Sequence, residues 1–502
     1  MNRALLRISL ACLVMFVLLL INMNYVQAFE TTKLAGEPGN VRVFDEQFTY
    51  QRGAILAIGD GTDVKIAESL PVKGTDTYQR YYPDGPVYAP VTGYDTMYST
   101  TGIEHAEDSY LSGTSPRLAV HNLAALLTGK QKQGATVELT ISPAAQQAAY
   151  NALASDGGHA AAVVAINPST GAILAMASYP SYDPNELTTT NGTKLNQVDQ
   201  QLLTDPSQPL LNRATQMILP PGSTFKIVTS SAAFSTGTVA SVNTTIPAPT
   251  ILTLPNGHTL HNDDYEVCGD GNPPIIEAFY LSCDTAFGDL GMKLTAPVLR
   301  DYASKFGMNA PLKSFPLPVA TSVLPEGTGW TDPSYTAYSA IGQYNDAVSP
   351  LQEAMFAAAI ANHGTLMEPY LVQQVVGSGL AVIQSAKTSV LSNTVSPAVA
   401  SDVQSMMYQV THNPGGTAYL TAGPQATGGI TIDGKTGTAQ NGINNTGLND
   451  AVFTCFVPGT GSSPSPIAVG VMVQGGGYGA DAAAPIAVQV IKAYLAAQAA
   501  RS

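Results

Sequence analysis

The sequence predicts an α+β fold behind a β-rich N-terminal module and one membrane-length apolar helix. Three observations carry this expectation. An apolar run from Ile8 to about Met23 follows Arg3 and Arg7. Residues 30–155 are rich in short β-type runs broken by turn residues. Over residues 156–502, strand-like runs at both ends enclose helical stretches, which asks for one sheet joining distant parts of the chain.

Composition supports a large folded body. The chain has 502 residues, length for roughly three domains at about 150 residues each. Hydrophobic residues make up 45% and charged residues 12%, which excludes a highly charged disordered chain or a long coiled coil. A formal charge of −14 without a basic run speaks against nucleic-acid binding, where phosphate neutralisation dominates affinity. The 46 glycines and 34 prolines occur without a repeat, which sets collagen and solenoid architectures aside.

Residues 1–29 read as a cytoplasmic tail and transmembrane anchor. The apolar run can cross a bilayer core of about 30 Å once Leu5 and Leu6 contribute, and the arginines before it keep the tail in the cytoplasm. A cleaved signal peptide, ending near Val26-Gln27-Ala28, is the competing reading. Both readings export the rest of the chain. Four cysteines are too few for a disulfide scaffold. A bridge between Cys268 and Cys283 would stabilise by about 3 kcal/mol, and buried unpaired thiols are an alternative of at least equal weight.

In the non-catalytic pedestal expected over residues 30–155, Tyr78, Tyr81, Tyr82, Tyr88, Tyr94 and Tyr98 crowd one stretch. They read as aromatic packing rather than a carbohydrate platform. Pro143 to Ala154 has good helix formers with Pro at an entry position. Ala160–Ile166 and Ala172–Ser178 flank Asn167-Pro168-Ser169-Thr170-Gly171, a hairpin signal. Ala451–Val457 and Pro466–Gln474 read as strands, and Ala483–Ala499 as a closing helix.

Three short motifs hold residues that can do chemistry. Ser223 stands where Pro220-Pro221-Gly222 gives way to an apolar helix, and Lys226 follows on the same helical face. There a buried lysine can take the serine proton; the plain alternative is a capping serine. Ser282-Cys283-Asp284 begins 59 residues after Ser223, and Lys435-Thr436-Gly437-Thr438 begins 153 residues after Ser282. On an edge strand the last motif supplies a fixed cation, hydroxyls and an open backbone face for a substrate strand. Alone it reads equally well as a glycine turn with a solvated lysine. Each motif is weak by itself, and their order and spacing make the set strong.

That ordered set resembles the one shared by penicillin-binding proteins and class A β-lactamases. The chain is similar to the class B penicillin-binding proteins over nearly its whole length. Further landmarks are Arg52-Gly53-Ala54-Ile55, Arg80-Tyr81-Tyr82-Pro83, Asn212-Arg213-Ala214, Ile341-Gly342-Gln343, Val348-Ser349-Pro350-Leu351-Gln352, Ala361-Asn362-His363-Gly364 and Ala484-Pro485-Ile486-Ala487. The resemblance implies a transpeptidase domain over residues 156–502, with an antiparallel sheet flanked by helices. It also implies peptidoglycan D,D-transpeptidation, a cross-linking of stem peptides that β-lactams inhibit. Ser223 would be the nucleophile, Lys226 the general base and Ser282 the proton relay to the leaving amine. Backbone N–H groups of Ser223 and Thr438 would form the oxyanion hole, while Lys435, Thr436, Gly437 and Thr438 would hold the substrate. Neither a metal nor an organic cofactor is called for. A separate glycan polymerase is the expected partner, because the residues between anchor and catalytic domain leave little room for a glycosyltransferase.

One position departs from the family pattern. Asp284 stands where Asn is usual, and a carboxylate cannot donate the expected amide hydrogen bond. Placed beside Lys226, an ionised Asp284 would favour the charged ammonium and make a poorer base, so acylation would be slow at neutral pH and rise in alkali. Two alternatives share the site: a β-lactam hydrolase or D,D-carboxypeptidase, and a catalytically impaired scaffold of the wall-synthesis complex.

Three competing signals carry less. His258 and His261 with Asp263, Asp264 and Cys268 suggest a metal cluster, but Pro255-Asn256-Gly257 begins a turn and the run looks extended. Gly475-Gly476-Gly477-Tyr478-Gly479 lacks a following strand to supply a ribose-binding acid, and reads as a loop at the rim of the catalytic cleft. Lys387-Thr388-Ser389 mimics the third motif within a polar stretch and reads as solvated.

Overall fold

The computed structural model describes residues 2–26, 30, 48–118, 133–262, 266–325, 332–377, 379–440 and 447–501. Helix α1 spans Asn2–Tyr25. Its apolar side chains from Leu6 to Met23 are exposed: Phe16 and Leu19 are each 65% exposed. Leu6–Tyr25 is long and apolar enough to cross a membrane, as a single-pass anchor requires. Gln27, Ala28 and Phe29, where cleavage would fall, lie outside the described residues.

Strands β1 (Ile55–Ala57), β2 (Val64–Pro71), β3 (Tyr78–Tyr81) and β4 (Thr136–Leu139) build most of the N-terminal sheet. Alternation sets their inner face: Ile55, Ala57, Val137 and Leu139 are fully buried. A charge network closes this module. The Nε of Arg80 and the Nε of Arg52 donate to the two oxygens of buried Glu104 at 2.6 and 2.7 Å. The hydroxyl of Tyr82 donates to the same carboxylate at 3.2 Å and accepts from the Asp95 N–H at 2.8 Å. Tyr82 and Tyr88 are core residues, whereas Tyr98 is exposed.

Helix α2 (Pro143–Ala154) is capped by Ser142, whose hydroxyl accepts from the Ala145 N–H. Strands β5 (Ala161–Ile166) and β6 (Ile173–Tyr179) pair antiparallel as the expected hairpin. A 3₁₀ turn over Gly222–Phe225 leads into α3 (Lys226–Ser235), so the helix expected to begin at Ser223 begins at Lys226. Helices α4 (Ile275–Tyr280), α5 (Asp284–Leu294) and α6 (Pro350–Ala361) follow. Strands β7 (Val372–Val376) and β8 (Val382–Ser385) then return to the N-terminal sheet, whose order is β8-β7-β4-β1-β2-β3. The module expected over residues 30–155 is therefore not contiguous in sequence, and α2 within it packs on β6 and on the C-terminal helix.

The chain ends with α7 (Pro397–His412), β9 (Asp433–Ala439), β10 (Asp450–Phe456), β11 (Ala468–Val473) and α8 (Ala483–Ala499). The main sheet has the order β9-β10-β11-β5-β6, all antiparallel. Strands β5, β10 and β11 are buried at every position, which explains why they read as continuous apolar runs rather than alternating ones. Helix α6 packs on β5, β10 and β11, and α8 with α2 covers the sheet as well. The α+β architecture matches the expectation, with β9 left as an edge.

Candidate active site

The site grows from a turn that only particular residues can make. Gly222 sits at φ +56° and Gly342 at +73°, both in the left-handed region that glycine enters freely. The Gly222 N–H donates to Gly342 O at 2.9 Å. A Cβ on Gly342 would lie 2.0 Å from Gly222 O, so the two loops meet only because Gly342 lacks a side chain, while a Cβ on Gly222 would press on Thr438 O at 2.9 Å. This contact aims Ser223 into the cleft and starts α3 on Lys226.

Lys226 is fully buried. Its Nζ donates to Ser282 O at 2.7 Å, to Ser282 Oγ at 3.3 Å and to Asp284 Oδ1 at 2.7 Å. Among the described residues none of its hydrogen bonds goes to Ser223 Oγ, a looseness common before substrate arrives. Phe287 lies under the ammonium, 5.4 Å from Nζ to ring centre. Ser282 itself adopts φ +63°, a strained conformation for a residue with a Cβ, and that strain turns both its oxygens toward the lysine. Asp284, the first residue of α5, meets Lys226 as the sequence argument expected.

From the sheet side, buried Lys435 donates from Nζ to Ser282 Oγ at 2.8 Å and to Thr436 O at 3.0 Å. The hydroxyl of Ser282 therefore stands between two ammonium groups. Gly437 lets β9 approach the nucleophile turn, since a Cβ there would lie 2.5 Å from Pro221 O. Ser223, Ser282, Asp284, Thr436 and Thr438 line one cleft of about 480 Å³. The structure thus brings together all eight residues named from sequence, Lys226, Lys435 and Gly437 lying just behind the lining.

Several participants lie outside the three motifs. Thr417 lines the cleft and shares a 2.7 Å hydroxyl contact with Thr436; its only signal is a threonine after Gly415-Gly416. Gln343 Nε2 donates to Thr438 O at 3.5 Å. Tyr478 lines the cleft as the glycine loop's rim residue. Thr224 and Glu353 lie just behind the turn, fully buried. Asp433, two residues before Lys435, accepts from Gln404 Nε2 at 2.9 Å, and burial pushes its carboxyl up to about 7.

Cys268 and Cys283 form a disulfide, with Cα atoms 5.9 Å apart, so the unpaired-thiol alternative is set aside. The bridge ties the residue between Ser282 and Asp284 to Cys268, which also lines the cleft. Cys268 is thereby withdrawn from the metal cluster considered above, His261 Nδ1 sits 2.9 Å from Asn262 O, and Asp263 and Asp264 lie outside the described residues. Among the described residues no group of three metal-ligating side chains occurs.

A serine held at the edge of an antiparallel sheet, with two buried lysines converging on a second hydroxyl, is equipped for acyl transfer. Comparison with known proteins agrees. Residues 161–492 match the penicillin binding protein transpeptidase domain, and residues 52–137 the penicillin binding protein A dimerisation domain. The chain belongs to the penicillin-binding protein transpeptidase family. It is 39% identical to the peptidoglycan D,D-transpeptidase PbpA of Mycolicibacterium smegmatis, over 99% of both chains. The crystal structure of PBPA from Mycobacterium tuberculosis superposes with a TM-score of 0.82 at 37% identity, covering 89% of this chain and 100% of that one. A penicillin G acyl-enzyme complex of penicillin-binding protein A from M. tuberculosis gives 0.81 at 38% identity, with the same coverage.

Proposed function

We propose that this chain is a peptidoglycan D,D-transpeptidase that works through an acyl-enzyme on Ser223 and is inhibited by β-lactams. The observation that carries the reading is the Lys226–Ser282–Lys435 chain of contacts beside Ser223 in one cleft. Full-length similarity to PbpA enzymes supports it.

In this scheme Ser223 Oγ attacks the carbonyl carbon of the penultimate D-Ala, and its proton passes to Lys226. The carbonyl oxygen gains charge and is met by the N–H groups of Ser223 and Thr438. The peptide C–N bond then breaks, and Ser282 Oγ, fed by its neighbouring ammonium groups, passes a proton to the departing D-Ala nitrogen. An amine of a second stem peptide attacks the ester, the C–Oγ bond breaks and Ser223 recovers its proton. Lys435, Thr436 and Thr438 hold the donor carboxylate, with Gly437 allowing the close approach. A β-lactam opens its ring on Ser223 and stays attached.

Asp284 Oδ1 accepts from Lys226 Nζ at 2.7 Å, so the amine that must take the Ser223 proton is held in an ion pair, which favours slow acylation. α1 anchors the chain with its tail in the cytoplasm and the catalytic domain on the extracytoplasmic face. A separate glycan polymerase supplies the strands. The chain divides into anchor (1–29), pedestal and transpeptidase domain, the pedestal borrowing β7 and β8. Labelling with a fluorescent penicillin tests the reading: the adduct belongs on Ser223, and mass spectrometry placing it elsewhere overturns the assignment.

A further inference from the structure

Beside the nucleophile turn lies a carboxyl group that the acyl-transfer scheme does not use. Glu353 on α6 is fully buried. Its Oε1 lies 2.8 Å from Thr224 Oγ1, and its Oε2 has no hydrogen-bond partner among the described residues. Thr224 Oγ1 also lies 2.9 Å from Pro221 O, the carbonyl against which Gly437 of β9 is packed. One hydroxyl thus stands between α6 and the turn that carries Ser223.

Counting protons shows what this arrangement needs. The Thr224 hydroxyl has a single proton and two oxygen neighbours, and Pro221 O can only accept. An ionised Glu353 can also only accept, so one of the two contacts would go unmade. A carboxylic acid supplies the missing proton: it donates to Thr224 Oγ1, and Thr224 donates to Pro221 O. Burial favours that form, pushing the Glu353 carboxyl up to about 8 against the opposing Thr224 hydrogen bond. The elements packed on α6 carry Asp450 and Cys455 on β10, Arg213 on the short helix Arg213–Gln216, and Asp402, Tyr408 and His412 on α7. None of these contributes to the shift of Glu353.

We propose that Glu353 is a positioning residue for acyl transfer: as a carboxylic acid it completes a hydrogen-bond chain through Thr224 to Pro221 O that sets the Ser223 turn against β9. The inference rests on Ser223 as the nucleophile. When Glu353 ionises, the one Thr224 proton turns to the carboxylate and Pro221 O loses the hydroxyl contact. The turn then loosens where the N–H groups of Ser223 and Thr438 must converge.

The test compares the full-length protein with Glu353→Gln and Glu353→Leu by second-order acylation with a fluorescent penicillin, from about pH 6 to about pH 10. Gln keeps a donor for Thr224 at every pH, and Leu has none. The ratio of the Gln variant's rate to the wild-type rate is expected to rise several-fold as the pH passes about 8. The Leu variant is expected to acylate on the order of tenfold more slowly at neutral pH, with a thermal midpoint no lower than wild type. A ratio constant across the range, or a Leu variant as fast as wild type, overturns the proposal. Should the Leu variant fail to fold, the Gln ratio still decides. Mapping the wild-type adduct separates the two readings. An adduct away from Ser223 overturns the nucleophile, whereas a Ser223 adduct with a constant ratio overturns only the role of Glu353.

Discussion

Arg80 with Glu104 in the N-terminal module and Lys226 with Asp284 in the cleft are both short pairs of a buried cation and a carboxylate, at 2.6 and 2.7 Å. Their surroundings differ. Glu104 is wholly enclosed, and each of its oxygens takes a guanidinium. Burial alone would raise its carboxyl, but Arg80 and Arg52 outweigh that and hold it below the ordinary value. Arginine keeps its proton under all ordinary conditions, so the cations of this network hold one charge state and serve as a fastening. The cleft instead uses lysines, which exchange protons, around the hydroxyl of a strained Ser282 and a carboxylate 22% exposed to solvent. Similar pairs lock one region and leave the other able to move a proton. The choice of cation and the access of solvent make the difference.

The largest test of that contrast removes one group from each region. Ser223→Ala is expected to abolish penicillin labelling while leaving the thermal midpoint unchanged. Glu104→Ala is expected to do the reverse. It strands the buried Arg80 guanidinium, while Arg52 keeps Asp108 at 2.6 Å; the loss costs about 3–5 kcal/mol, read as a lowered unfolding midpoint with the acylation rate per folded molecule preserved. Equal loss of labelling and stability in either variant would break the separation.

Asp284→Asn is the next largest. Removing the carboxylate releases Lys226 Nζ from its 2.7 Å ion pair and is expected to speed acylation by several-fold to about tenfold. The measurement is the acylation rate of both proteins from about pH 6 to about pH 10. An Asn variant equal or slower throughout shows that the carboxylate is no handicap and has its own role in this enzyme.

Stability against pH gives the most graded effect. Glu104, held below its ordinary 4.5, stabilises the fold fully above that value, and the contribution is lost as the pH falls through the lower folded one. Glu353 acts in the opposite sense. Its folded carboxyl at about 8 against an ordinary 4.5 means that stability is fullest below 4.5 and declines as the pH rises through that window. Thermal midpoints of Glu104→Gln should therefore lose the acid limb, and those of Glu353→Gln should lose the decline toward about pH 8. Unchanged profiles would remove both groups from the ledger.

Much of this protein was legible before any coordinates. The span of α1 followed from an apolar run of bilayer length, and α2 and α8 ended where their helix-forming stretches ended. The β5–β6 hairpin was announced by Asn167 to Gly171. Ser223, Lys226, Ser282 and Lys435 were recognisable because acyl transfer demands particular side chains at nearly fixed intervals. Local chemistry wrote these features, so local sequence reveals them.

Other features depend on parts of the chain far apart in sequence. Nothing near Val372 announces that it will pair with Leu139 and complete the N-terminal sheet. Glu353 lies in a helix that is apolar apart from its neighbour Gln352, and its use emerges only when Thr224, 129 residues away, is laid beside it. Thr417 gains meaning from Thr436 across the cleft. The cysteine pairing was open because spacing alone does not bring two thiols together, and only the fold of the walls around Cys268 and Cys283 decided it. The sequence by itself determined which reactive groups exist and the order in which they come. Tertiary structure decided which of them share protons, because a hydrogen bond requires approach to about 3 Å, and at that scale only packing sets the distance.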